Sequence, residues 1–468
     1  MGNAKKRSGS VASMLPVLLA CSFTASFGQS MMNVALPELA ERFGVTLSIA
    51  NWVIVGYMVV AATAIMLSAF MLRRLGLRRV FFVGAGALAL GSACALLSQD
   101  FPMLFASRLV QAVGTGLFFP SVTSVIMTNS PAAVRGTRLA LNSGVIAVGL
   151  AISPTASGFA LTQFGWRAMF VVSLAMSVAL LAVGFFRIHG GPSTKRVPID
   201  ALSVMLGPLG LAAFLYGLGE VTRDLAPSLA ALAVGAVLLA LFAWRQFALE
   251  SPLLDLHPLV HPRFAVGILL VMVGMLTSFS MSILLPLYYE GALGYTAFFA
   301  GLLLGPVLVN AAFTFLGGRV FDRHGAWPLI PAGLVLVLVG QATAFFSAES
   351  MIAILIVLSS AAVYAGAGFV VAPSKTAALG TLPPATYSAG ASINSTAVQI
   401  ASAIGSSLFV GVLSADVLRD TAAGAAKASA YAAAFEHTLS IVVVIAAAGL
   451  LVAFFYARAM RKPAGKQR

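Results

Sequence analysis

Between Phe101 and Pro120 the chain runs almost unbroken through apolar residues and carries one cation, Arg108. At the centre of a bilayer-spanning helix an arginine costs roughly 2.5–3.5 kcal/mol on insertion scales, so a chain keeps one there when it faces protein or water. A guanidinium so placed can hold an anionic or neutral acceptor group through its fixed fork of donors. Helical spacing of three and four puts Gln111, Ala112 and Thr115 on the same face, flanked by Gly114 and Gly116. Two more polar faces keep that period. Ser22, Ser26, Gln29 and Asn33 form one, and Ser395, Gln399, Ser402 and Ser406 the other, with Asn394 beside it. Asn142 and Asn310 stand alone in apolar surroundings. The candidate binding set is therefore Arg108, Gln29, Asn33, Gln111, Thr115, Asn142, Asn310, Asn394 and Gln399. Serines and small residues at such positions also serve close helix packing, and lone asparagines serve as interhelical hydrogen-bond partners.

Other chemistries find little footing. His257 and His261 are four apart, but a proline follows each and spoils a helical metal pair. No Gly-x-x-x-x-Gly-Lys-Ser/Thr phosphate loop occurs, and no nucleophile sits with a matching base. The two cysteines, Cys21 and Cys94, fall inside apolar runs as packing residues. No enzyme activity, cofactor or metal is expected.

The elements that must position these residues follow from composition. Of the 468 residues 60% are hydrophobic and 9% charged, and the mean hydropathy is +0.99. Apolar runs of about 20 residues recur from end to end, whereas a membrane barrel would alternate over about 10. The reading is an all-α polytopic membrane protein of 14 transmembrane helices, among them helix 10 at 297–317 and helix 13 at 391–413. The net charge of +14 resides in short basic clusters between apolar runs, which reads as topology and lipid-headgroup contact rather than nucleic-acid binding. Those clusters put both termini in the cytoplasm, and Trp52, Trp166, Trp244 and Trp327 all fall at span ends, as an interfacial belt requires. The N-terminal apolar run continues to Leu36, too long for a signal-peptide core, and is read as helix 1.

Two loops about 250 residues apart resemble each other: AFMLRRLGLRR from Ala69 to Arg79, and GGRVFDRHG from Gly317 to Gly325. Duplicated halves of this kind build transporters around a midplane site. The expected organisation is a basic N-terminus over 1–13, a six-helix bundle over 14–188, two inserted helices and linkers over 189–263, a second six-helix bundle over 264–457, and a basic tail over 458–468.

The chain here resembles the major facilitator superfamily. Gly318, Asp322, Arg323 and Gly325 match its Gly-x-x-x-Asp-Arg-x-Gly loop, and RLVQAVGTG from Arg108 matches its helix-4 arginine motif. SPTASG from Ser153 is a weakened form of its antiporter motif, giving a helix-5 set of Gly149, Pro154 and Gly158, with Pro154 as a bend. MNVALP from Met32, GWRAMF from Gly165 and YYEGALGYTAFFAGLLLGP from Tyr288 are similar to the fourteen-helix drug:proton antiporter branch. The resemblance implies a conformational latch of Arg73, Arg74, Gly76, Gly318, Asp322, Arg323 and Gly325. It also implies gradient-driven export of a small amphipathic substrate, with protons as coupling ions. A monomer is expected, and the Ala-rich composition and short tails point to a bacterial inner membrane.

The chain departs from that branch at Gly28, where an aspartate is usual in helix 1, and at Ala69 and Arg73, where the first loop would carry glycine and aspartate. On the expected spans no carboxylate is left near the midplane. Asp416 lies beyond helix 13, and Glu290 and Glu220, at helix ends, are the nearest candidates for proton coupling. An arginine without a buried acid favours neutral or anionic substrates. Uniport, or export without carboxylate coupling, is the second reading, and a non-transporting membrane sensor or scaffold is the third.

Overall fold

The computed structural model describes residues 2–130, 132–188, 200–383 and 386–459, and every regular element among them is helical. Apolar chain in lipid must satisfy its backbone within each segment, and the helix does so locally. In order come α1 (Gly2–Ser30), α2 (Leu36–Phe43), α3 (Leu47–Ala50), α4 (Trp52–Leu96), α5 (Phe101–Asn129), α6 (Ala132–Phe164) and α7 (Arg167–Arg187). They are followed by α8 (Ala201–Glu220), α9 (Leu225–Ala248), a 3-10 turn at His257–Val260, α10 (Pro262–Gly291), α11 (Ala297–Leu303) and α12 (Val307–His324). The chain closes with α13 (Leu329–Ser347), α14 (Ala353–Leu379), α15 (Tyr387–Ala422) and α16 (Lys427–Ala459).

Thirteen segments among the described residues are long and apolar enough to cross a membrane, and Met14–Ser30 adds a shorter apolar helix where the first span is expected. The chain is a multi-pass membrane protein. Large apolar side chains such as Phe186, Trp244, Phe346 and Phe455 point outward and exposed, as lipid-facing surfaces do.

The chain divides into two compact units: Met1–Leu218 with Asp224–Leu254 and Thr296–Gly305, and Gly219–Arg223 with Asp255–Tyr295 and Pro306–Arg468. In the first unit α4 and α5 pack with their backbones almost touching. A Cβ at Gly114 would strike the carbonyl oxygen of Gly84, and one at Gly116 that of Ala61. The small-residue stripe beside Arg108 is thus the surface that admits α4. In the same unit α11 lies on α6, where Thr155 Oγ1 donates to Gly301 O at 2.9 Å and Phe298 N–H to Thr162 Oγ1 at 3.2 Å.

As expected, α4 holds two membrane-length segments, and its helical backbone is interrupted at Gly76 (φ 78°, ψ 164°). Two departures from the expected spans have local causes. The tenth span is not one helix. It breaks over Leu304, Gly305 and Pro306 into α11 and α12, because a proline lacks the N–H that would continue the ladder. Helix 13 runs on to Ala422 and encloses Asp416. One turn also occurs twice: Gly44 (φ 62°) precedes Thr46, which caps Ile49 N–H, and Gly294 (φ 67°) precedes Thr296, which caps Phe299 N–H.

The pair α8 and α9 is fastened at one end. Asp200 accepts from Arg245 Nε at 2.6 Å and Nη2 at 2.7 Å, and from the Ser203 hydroxyl. Gln246 donates to Ser203 Oγ at 2.7 Å and accepts from Leu254 N–H at 3.1 Å, which ties in the following linker. The hydrogen-bonded Arg245 guanidinium holds the Asp200 carboxyl well below the usual carboxylate range. A depressed carboxyl stabilises the fold above its unfolded-state value near pH 4, and that contribution fades as acid protonates it. Asp200→Asn is therefore expected to lower the unfolding temperature at pH 7 by about 2–4 °C per kcal/mol lost. The gap between variant and parent should narrow below about pH 4 in a detergent thermal-shift series.

Candidate functional site

The site is built on α5. Asp100 caps its N-terminus by accepting from Met103 N–H at 2.8 Å, and Pro102 occupies the first turn, where a missing N–H costs nothing. Arg108 follows two turns later and is fully buried. Its Nη1 donates to Gly28 O at 3.1 Å and to Gln111 Oε1 at 2.7 Å, its Nε donates to Val53 O at 3.4 Å, and its Cζ stands 4.1 Å from the centre of the Tyr57 ring. No carboxylate is among these partners. The second nitrogen, Nη2, is buried and has no hydrogen-bond partner among the described residues.

One acceptor is a helix end. The last turn of α1 carries the negative end of the helix dipole and offers carbonyls to side-chain donors. Phe27 O, which also accepts from Met31 N–H at 3.1 Å, is met by Ser153 Oγ at 2.6 Å, and Gly28 O is met by Arg108. At the position where an aspartate is usual, the backbone itself supplies the negative pole. A Cβ on Gly28 would reach only van der Waals contact with Tyr57 Oη, at 3.7 Å, so the glycine is not dictated by space.

Polar groups radiate from this centre. Gln111 Nε2 donates to Ser92 Oγ at 2.7 Å, and the Ser92 hydroxyl reaches Leu88 O at 2.7 Å and Ser173 Oγ at 3.0 Å. Tyr57 Oη pairs with Thr115 Oγ1, which lies 3.5 Å from Ala25 O. The structure thus joins Arg108 to Gln111 directly and to Thr115 through Tyr57. Gln29 is half-buried near the end of α1, and Asn33 is buried in the turn after it. Asn142 accepts from Ser22 Oγ at 2.7 Å on the α1–α6 seam, where Gly149 faces Ser26. Pro154 lies within α6 and Gly158 faces Ala297.

Asn394, Gln399, Asn310, Glu290 and Glu220 belong to the second unit. Asn394 and Gln399 are buried on α15, and Asn394 Oδ1 has no hydrogen-bond partner among the described residues. Asn310 accepts from Thr314 Oγ1 at 3.2 Å along α12. Glu290 stands at the end of α10, while Glu220, at the end of α8, meets Arg223 at 3.6 Å. Of the latch residues, Arg73, Arg74 and Arg323 are exposed. Gly76 and Gly325 share a positive φ of 78° and 75°, Gly318 lies in α12, and the Asp322 side chain is outside the described residues.

Sequence reasoning misses Tyr57, Ser92, Ser173 and the Gly28 carbonyl. The first three lie on neighbouring helices with no shared periodicity, and a carbonyl leaves no mark in a side-chain pattern. Asp416, expected beyond helix 13, lies inside α15 and is buried there.

A profile of the Major Facilitator Superfamily matches residues 18–406. The chain is 31% identical to the lincomycin resistance protein LmrB of Bacillus subtilis, covering 95% of each. It is 28% identical to the methylenomycin A resistance protein of Streptomyces coelicolor over 67% of this chain and 66% of that one. Its fold matches the crystal structure of the peptide transporter POT in complex with sulfate with a TM-score of 0.67 at 16% identity, over 96% of both chains.

The geometry sets an order of stabilities. Gln111→Leu leaves the buried charge with one acceptor fewer and is expected to cost about 1.5–3 kcal/mol. Arg108→Met removes the charge itself and should cost less, because replacing a buried ion by an apolar side chain is often close to neutral. The double variant should then be non-additive in thermal unfolding, recovering most of the Gln111→Leu loss.

Proposed function

From a chain that belongs to the Major Facilitator Superfamily, we propose a secondary active exporter of small amphipathic compounds, a drug or multidrug efflux protein driven by the proton gradient through alternating access. It acts as a monomer in a bacterial cell membrane with both termini in the cytoplasm. The observation that carries the substrate side is the buried Arg108: a guanidinium held by neutral acceptors keeps its full positive charge, and Nη2 is left to bind. Neutral or anionic compounds with a carbonyl, carboxylate or hydroxyl acceptor suit it, with Gln111 and Thr115 beside it. Similarity to proteins that bear the names of lincomycin and methylenomycin A resistance supports export of antibiotics.

Uniport, or export without carboxylate coupling, is favoured by one observation: the Arg108 network holds no acid. Proteoliposomes decide between the readings. An imposed gradient of one pH unit supplies about 1.4 kcal/mol per proton, enough for a roughly tenfold substrate ratio, so a proton-driven carrier should accelerate and accumulate, and a uniporter should not.

The charge argument has its own check. Gly28→Asp sets a carboxylate beside Arg108 in space that admits the first side-chain atom. The variant is expected to export a fluorescent lipophilic cation better than the parent and an anionic analogue worse. Unchanged preference in both assays would remove Arg108 from substrate selection.

A further inference from the structure

A cluster outside the Arg108 network joins α15 to α16 in the second unit. Asp416 is 5% exposed, and both its oxygens are engaged: Oδ2 lies 2.6 Å from His437 Nδ1, and Oδ1 lies 3.1 Å from Arg419 Nη1. Arg419 Nε also donates to Asp420 Oδ1 at 2.9 Å. The His437 side chain is 55% exposed, so a buried carboxylate is connected to the surface through an imidazole. Two carboxylates and one guanidinium leave this cluster with one uncompensated negative charge while His437 is neutral. A proton on His437 makes it neutral overall.

We propose that Asp416 and His437 form a proton-binding site that couples the export cycle to the proton gradient. The inference rests on the proton-driven reading above and gives it residues. Burying unbalanced charge in apolar surroundings is costly, and burying a neutral hydrogen-bonded cluster is far less so. Proton occupancy therefore decides whether the end of α15 and α16 that carries the cluster favours a wet or a dry arrangement. Imidazole is suited to the task, because its charge ordinarily changes between about pH 5 and 8.

The packed neighbours do not supply the missing balance. The α13 helix has no charged residue, and the one on α14 is Lys375, near its opposite end. At the end of α10 stands Glu290, close to Tyr431 of α16. Gly219 packs against Gly411 of α15 and brings Glu220 and Arg223, which pair with each other. On α16 itself the other charges toward this end are Lys427 and Glu436.

The test compares the parent with His437→Gln, which keeps a donor for Asp416, and with Asp416→Asn, after confirming folding by thermal unfolding. In proteoliposomes the parent's efflux should rise with an imposed pH gradient. Both variants should lose that stimulation while exchange of labelled for unlabelled substrate, without any gradient, stays at the parental rate. In unbuffered detergent solution, substrate addition should release protons from the parent and none from His437→Gln. If folded variants keep the parental gradient response, the dyad is a structural clasp and the proposal falls, while proton-driven export stands. If the parent itself ignores the gradient, the proton-driven reading falls and takes the dyad's coupling role with it.

Discussion

A full positive charge in an apolar medium needs acceptors on every side, and much of the first unit is arranged around how Arg108 obtains them. The solution is spread over three helices: the last turn of α1 gives Gly28 O, α4 gives Val53 O and the Tyr57 face, and α5 gives Gln111. Each contribution depends on close approach. The glycines at 114 and 116 let α4 reach α5, and α1 must end near Ser30 for its carbonyls to be available. A single aspartate would have satisfied the charge with less geometry, but it would have neutralised that charge within the protein.

The helices, the multi-pass class and the burial of Arg108 were legible because hydropathy and the cost of an intramembrane cation are properties of side chains alone. Gln111 and Thr115 were legible because they repeat on the same helix face. What supports them was not. The Gly28 carbonyl belongs to the backbone, and Tyr57 and Ser92 come from a different helix, so no spacing along the chain connects them to Arg108. Gly28 was visible as a missing acid, but not as the replacement for it. Asp416 was misplaced for a related reason. A window of mean hydropathy ends a span at the first charges, while the helix continues as long as those charges find partners, here Arg419 and His437.

On the proposed reading the two polar centres divide chemical labour. The partners of Arg108 in α1 and α4 are carbonyls and an aromatic face, with no carboxylate among them to take up a proton near neutral pH. The Asp416 cluster is the opposite: every side chain in it is ionic or ionisable, and one member reaches the surface. A chain that needs to recognise a compound at any pH and yet answer to proton concentration is well served by keeping those sensitivities in different groups. Were one carboxylate to serve both, substrate and proton would compete for the same oxygens.

The turn that appears twice shows what a corner of this chain requires. Gly44 and Thr46, and Gly294 and Thr296, reproduce the same positive φ and the same cap about 250 residues apart, while the helices on either side share little chemistry. What the two copies retain is a demand on backbone shape, which tolerates few residue types. What they do not share is the chemistry of the helices around them. The corner keeps its shape at both places, while the straight segments that leave it are free to carry unlike side chains.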